Sequence, residues 1–320
     1  MRRVYIGRII SSILAIIGLA VLLYPSAAAW TNQYHQSKLV GLVHEQVKHV
    51  EPAAHEQIEQ ARQYNEALTS GARLAPNTNI PLGDIRQTES ALGLPDYFDI
   101  LNIQNSGIMG RILVPAADVD IPIYHGTDES TLLKGAGHLQ GTSFPVGGVG
   151  TRSVITAHRG LASATMFTNL DRVELGDEFT LNIFDEVLVY RVIDVKVVAP
   201  EDSEQIKADP DRDLATLVTC TPLGINSHRI LVTGERIIPT PIENIEEASQ
   251  DSSLPRFPWF AVFYTIFFIV ALAIIIHSIR KIRQLKSDEA TSERHETTDP
   301  NQSGTSNDHE RSDSTKSQSL

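Results

Sequence analysis

The stretch Thr216-Leu217-Val218-Thr219-Cys220-Thr221-Pro222-Leu223-Gly224-Ile225-Asn226-Ser227-His228-Arg229 decides how the rest of the chain is read. Its first five residues are β-branched or apolar and predict a strand. Pro222 and Gly224 then predict a turn, and a second apolar run begins at Ile230. Cys220, the one cysteine among 320 residues, thus stands where a strand ends at a rim. A single cysteine excludes an intramolecular disulfide and any multi-cysteine zinc or iron–sulfur site.

The Thr, Asn, His and Arg around Cys220 favour a reactive thiol over a small buried apolar side chain. A thiol at neutral pH is only a few per cent thiolate, yet that fraction is strongly nucleophilic. Acyl chemistry then needs a proton donor for the leaving group and a cation or hydrogen-bond donors for the oxyanion. His158, closing Thr156-Ala157-His158-Arg159-Gly160, fits the acid. Arg229 or its neighbour His228 fits the second role, but an extended chain turns the two to opposite faces. His125 and His138 are further candidates, each expected to be structural when taken alone.

Outward from this turn, Val, Ile, Leu and Thr concentrate in residues 108–115, 119–123, 153–158, 179–183, 187–198, 214–220 and 230–236. Gly147-Gly148, Gly176-Asp177 and the Pro222 turn separate them. Seven or eight short strands over so short a span predict a closed or nearly closed barrel. Only the segment around residues 164–170 reads as helical within it. Before the barrel, Leu39, Val43, Val47 and Val50, then Ile58, Ala61, Tyr64 and Leu68, recur at helical spacing on either side of Pro52. Residues 71–106 read as a long loop, in which Asp96-Tyr97-Phe98 places two aromatics beside an acid.

Composition is 42% hydrophobic and 21% charged, with a net charge of −12. That balance argues against nucleic acid as a partner, since a basic face is needed to neutralise phosphates. Residues 9–29 and 259–276 are apolar over about the 20 residues that cross a bilayer core. Arg2, Arg3 and Arg8 precede the first run, and Arg280, Lys281, Arg283 and Lys286 follow the second. The positive-inside rule puts both termini in the cytoplasm and residues 31–257 outside, making the lipid bilayer a partner. The alternative for the first run is a cleaved signal peptide ending near Ala27-Ala28-Ala29. Residues 287–320 are polar enough to predict disorder.

These residues resemble the sortases. The stretch from Thr216 to Arg229 matches their TLxTC…R signature, and the longer string CTPxGxNxHR resembles the pilus-assembling class C sortases. The likeness continues through Ile121-Pro122-Ile123-Tyr124-His125-Gly126, Gly137-His138-Leu139-Gln140-Gly141-Thr142-Ser143-Phe144-Pro145, Ile155-Thr156-Ala157-His158-Arg159-Gly160 and Met166-Phe167-Thr168-Asn169-Leu170. It implies an eight-stranded sortase-type β-barrel, mainly β, with short helices, preceded by N-terminal helices and flanked by two transmembrane helices. It further implies a cysteine transpeptidase that needs no cofactor. Cys220 is then the nucleophile, His158 the catalytic histidine and Arg229 the catalytic arginine. The implied reaction cleaves an LPxTG-type sorting signal between Thr and Gly and passes the thioacyl group to a lysine of another pilin subunit. Pilin or surface proteins bearing such signals are the implied partners.

On this reading the chain divides into 1–30, a stub with its apolar segment; 31–106, helical with a candidate lid; and 107–240, the catalytic barrel. A linker (241–257), a transmembrane helix (258–279) and a basic stop with a disordered tail (280–320) follow. Class C enzymes usually carry an Asp-Pro-aromatic lid, which is missing upstream of this barrel; Asp96, Tyr97 and Phe98 are the candidate variant. Alternatives are a sortase that attaches proteins to the cell wall, a cysteine endopeptidase, or an inactive membrane-bound scaffold. The intact Cys220, His158 and Arg229 argue against the scaffold. No metal is expected: the acids of residues 200–213 lack EF-hand spacing and read as a solvated loop.

Overall fold

Apolar stretches between residues 108 and 236 close into an eight-stranded barrel in the computed structural model, which describes residues 2–47, 53–68 and 96–296. The strands are β1 (Ile108–Val114), β2 (Val119–His125), β3 (Ala136–His138), β4 (Arg152–Thr156), β5 (Glu178–Ile183), β6 (Glu186–Val198), β7 (Leu214–Thr221) and β8 (His228–Arg236). Around the barrel their order is β1-β2-β3-β4-β7-β8-β6-β5, and β5 returns to β1 through Ile112↔Leu181. β2–β3 and β4–β7 are parallel, and the other pairs are antiparallel.

Tight turns set the antiparallel registers. Ile183 pairs with Glu186 across Phe184 and Asp185, both at positive φ as a type I′ hairpin turn requires. Between β1 and β2 the chain turns through a 3-10 segment, Pro115–Ala117, with Asp118 left-handed. Inside, Phe179 stacks on Tyr190 with centroids 5.4 Å apart. Gly234 makes room for that pair, since a Cβ there would stand 2.6 Å from the Phe179 ring.

β1 and β2 are buried along their whole length instead of alternating. Their outer faces are covered as well. Helix α1 (Arg2–Val47) donates from Gln33 Nε2 to the Asp120 carbonyl at 3.0 Å. Arg111 forms a two-pronged pair with Asp120, at 2.6 and 2.7 Å, and also donates to the Ala248 and Gln250 carbonyls. Helix α2 (Ala54–Ala67) buries Ile58, Ala61 and Tyr64, and Arg62 pairs with Glu186 at 2.7 Å.

Several expectations need correction. Helix α1 runs from Arg2 to Val47, through Pro25 and past residue 30, where the division of the chain was drawn. The three-residue β3 carries too little alternation to be read from sequence. The helix expected around residues 164–170 is a set of turns before a 3-10 segment, Leu170–Arg172, since Met166 takes φ 42°. A four-residue helix, α3 (Glu129–Leu132), forms instead before β3. Within the linker assigned to 241–257 the chain forms helix α4 (Ile242–Ser249). Of the loop 71–106, residues 71–95 lie outside the described part, and 96–106 hold two 3-10 turns, Tyr97–Asp99 and Ile103–Asn105.

The chain forms two units, one holding residues 22–261 and the other 1–21 with 262–320. The second unit includes most of helix α5 (Trp259–Glu296). The helix continues past the apolar run through residues 287–296, where disorder was expected; the rest of that tail, 297–320, lies outside the described part. Both α1 and α5 carry stretches long and apolar enough to cross a membrane.

Candidate active site

Two pairings assemble the site. Antiparallel β7 and β8 put Cys220 directly opposite Arg229, so their side chains leave the sheet on the same face. Parallel β4 and β7 pair Thr156 with Val218, so His158 and Cys220 each lie two residues beyond the same rung. Ala157 N–H donates to the Val218 carbonyl at 3.2 Å, and Thr219 Oγ1 donates to the Ala157 carbonyl at 2.8 Å. These bonds carry the two strands in step to the rim. Sequence-distant residues therefore meet at one end of the barrel.

Arg229 is fully buried and Cys220 nearly so, while His228 is exposed. Of the two neighbours, Arg229 is the one buried and in register with Cys220. Arg229 Nη1 donates to the Asn226 carbonyl at 3.0 Å and to the His228 carbonyl at 2.9 Å, which wraps the β7–β8 loop around the guanidinium. Burial lowers the Arg229 pKa, and the adjacent Cys220 opposes that shift. His158 is mostly buried, and its Nε2 lies 3.3 Å from Glu129 Oε1 in α3. That contact suits an ion pair to a charged ring but is not aligned as a hydrogen bond. The barrel rim thus holds a thiol, a mostly buried imidazole and a buried guanidinium.

Asp96, Tyr97 and Phe98 lie in a 3-10 turn ahead of β1, and the two aromatics contact His125 of β2, with Tyr97 also on His138 of β3. Asp96 caps its own turn by accepting from Phe98 N–H at 2.9 Å. Tyr97 is buried in a cluster with His138 and Phe144, its centroid 5.7 and 5.3 Å from theirs and theirs 5.5 Å apart. His138 Nε2 is 2.9 Å from the Ser143 carbonyl, which can only accept, so Nε2 carries the proton. The bare Nδ1 then accepts from the Tyr97 hydroxyl at 2.9 Å. His125 lies between the Gly107 and Ile100 carbonyls, at 3.0 and 2.7 Å. Both histidines are thus built into the packing of residues 96–107 on the barrel.

Burial pushes the His138 pKa down to about 3 against an ordinary 6.5, and burial lowers His125 too. A ring kept neutral when folded but protonated when unfolded contributes stability that is lost as pH falls below 6.5. Between pH 6.5 and 5, His138 alone accounts for a loss of about 2 kcal/mol. Thermal melts at pH 7 and 5 test this, because His138→Gln should flatten the difference relative to the parent. Equal slopes in the two proteins would exclude His138 as the source.

Two further residues bear on the site. Arg159 spans from the His158 loop to Thr221, donating from Nη1 to Thr221 Oγ1 at 3.0 Å, and Glu129 faces His158. Neither is distinctive by residue type, although the adjacency of Arg159 to His158 and of Thr221 to Cys220 was a signal in plain sight.

Residues 112–237 match the family model described as the sortase domain. Sortase C-1 of Actinomyces oris is 43% identical, with the alignment covering 58% of this chain and 99% of that one at a TM-score of 0.51. The chain belongs to the sortase family. Sortase C of Streptococcus pneumoniae is 39% identical over 62% of this sortase and 96% of that chain, with a TM-score of 0.55. A further relative, Sortase A of Bacillus anthracis, is 26% identical over 46% of this chain and 70% of its own length. This sortase is accordingly a cysteine transpeptidase, its structural neighbours include class C enzymes, and Cys220 is its sole cysteine.

Proposed function

We propose that this sortase cleaves an LPxTG-type sorting signal between Thr and Gly and transfers the acyl group to a lysine amine of another pilin subunit, polymerising pili. The observation that carries the reading is the register pair Cys220↔Arg229 beside the His158 end of β4. The Streptococcus pneumoniae relative, whose structure concerns pilin substrate specificity, supports pilins as the substrate class.

In the proposed sequence the Cys220 thiolate attacks the Thr carbonyl carbon. Arg229 stabilises the oxyanion, which is where a preorganised donor contributes most. The imidazolium of His158 gives its proton to the departing Gly amine as the C–N bond breaks, leaving a thioester on Cys220. A lysine amine then attacks the thioester, its proton passes to His158, and the Cys220 thiolate leaves as the isopeptide forms. The basic residues before the first apolar run and after the second favour two membrane spans, an external barrel and cytoplasmic termini.

The test is intact-mass spectrometry of the full chain in detergent, mixed with an LPxTG-type peptide. An added mass equal to the acyl fragment, released on addition of an amine nucleophile, is the expected result. A chain that stays unmodified, or an adduct that amines do not release, would sink this reading.

A further inference from the structure

We infer that Arg159 is a positioning residue whose guanidinium holds His158 in place against Cys220. The inference rests on the roles proposed above for those two residues, and it concerns how their separation is set.

Arg159 follows His158 in the loop after β4, and its side chain is only 8% exposed. Three nitrogens of the group are used in three directions. Nε donates to the Thr168 carbonyl at 3.2 Å, Nη2 to Asp171 Oδ2 at 2.6 Å, and Nη1 to Thr221 Oγ1 at 3.0 Å. Thr221 is the residue after Cys220, 62 positions along the chain from Arg159. Thr168 and Asp171 belong to the turn that folds back on His158: Phe167 N–H donates to the His158 carbonyl at 3.0 Å, and Gly160 N–H to Thr168 Oγ1 at 3.0 Å. One planar group therefore joins the histidine loop, the turn beneath it and the end of the cysteine strand.

The ion pair to Asp171 does not explain this placement. Asp171 is half exposed, and a pair open to water on one side contributes little. The bond to Thr221 is the informative one, because it links the backbone beside the nucleophile to the backbone beside the proton carrier. The contact continues at Gly160, where a Cβ would stand 2.6 Å from Leu223 Cδ2 of the β7–β8 loop. Lysine at 159 keeps the charge but cannot donate along three fixed directions in one plane.

A misplacement of the reacting groups by about 1 Å can cost on the order of 100-fold in rate. Binding of the peptide does not require that geometry, so the loss belongs in the chemical step. Arg159→Lys, Thr221→Val and the double variant are prepared as full chains in detergent beside the parent. Acylation rate is followed against LPxTG-type peptide concentration, with thermal melts in the same buffer. Each single variant is expected to lower the maximal rate by roughly 10- to 100-fold. Half-saturation should stay within about two-fold, and the double variant should be no slower than the worse single one, as for residues acting through one contact. Thr221→Val is the milder change, and it keeps the test open if Arg159→Lys folds poorly.

A Thr221→Val chain that reacts at the parental rate overturns the inference. So does a loss confined to half-saturation, or one that follows the unfolded fraction in the melts. A parent that forms no adduct overturns the proposed function and this inference together, whereas a reactive parent beside unaffected variants overturns this inference alone.

Discussion

Cys220→Ala is expected to lose acylation by the sorting peptide altogether, a fall of at least about 10⁴-fold as for removal of a covalent nucleophile. The chain has no second thiol to substitute for it. The replacement deletes one sulfur from a nearly buried strand end, a change that costs roughly 1 kcal/mol of stability. The variant should therefore melt close to the parent while showing no adduct in intact-mass spectra. Cys220→Ser sharpens the comparison, because it restores the shape but supplies a hydroxyl far harder to ionise than a thiol. Acyl transfer at a measurable fraction of the parental rate in Cys220→Ala would exclude the thioacyl route.

Arg229→Lys is the second large effect, with an expected loss of about 10²- to 10³-fold in kcat/KM, the range seen when one oxyanion donor is removed. The charge survives the substitution but the planar fork does not. Nη1 of Arg229 holds the Asn226 and His228 carbonyls, so the arginine both fixes the β7–β8 loop and presents its charge beside Cys220. An ammonium on a flexible stem cannot do both from a fully buried position. Steady-state peptide aminolysis measures the loss, with near-UV circular dichroism to establish that the barrel is intact. A lysine variant within three-fold of the parent would show that charge alone suffices.

Three departures from the sequence reading share one cause. Met166 lies in an apolar run of helical appearance, yet its left-handed backbone belongs to the turn that carries Thr168 and Asp171 to Arg159. Tyr97 reads as a loop aromatic, and its burial against His138 and Phe144 follows from residues far from it in sequence. β1 and β2 depart from alternation because α1 and α4 cover their outer faces, and that coverage depends on where the helices dock. In each case a long-range contact overrides a local preference.

What the sequence determined by itself were the properties that live in single residues or in short periods. Runs rich in Val, Ile, Leu and Thr between turn residues marked most of the strands, because strand propensity and turn chemistry are local. Cys220, His158 and Arg229 stood out because few side chains can serve as nucleophile, proton carrier and fixed cation. Which strands become neighbours was decided only by the tertiary structure. β4 lies beside β7 across an intervening β5–β6 hairpin, and this crossing brings His158 level with Cys220. A pleat decides which face a side chain takes, but the partner across the rung is chosen by closure of the whole barrel. The same closure sets Arg229, rather than His228, across from Cys220 and brings Arg159 to Thr221.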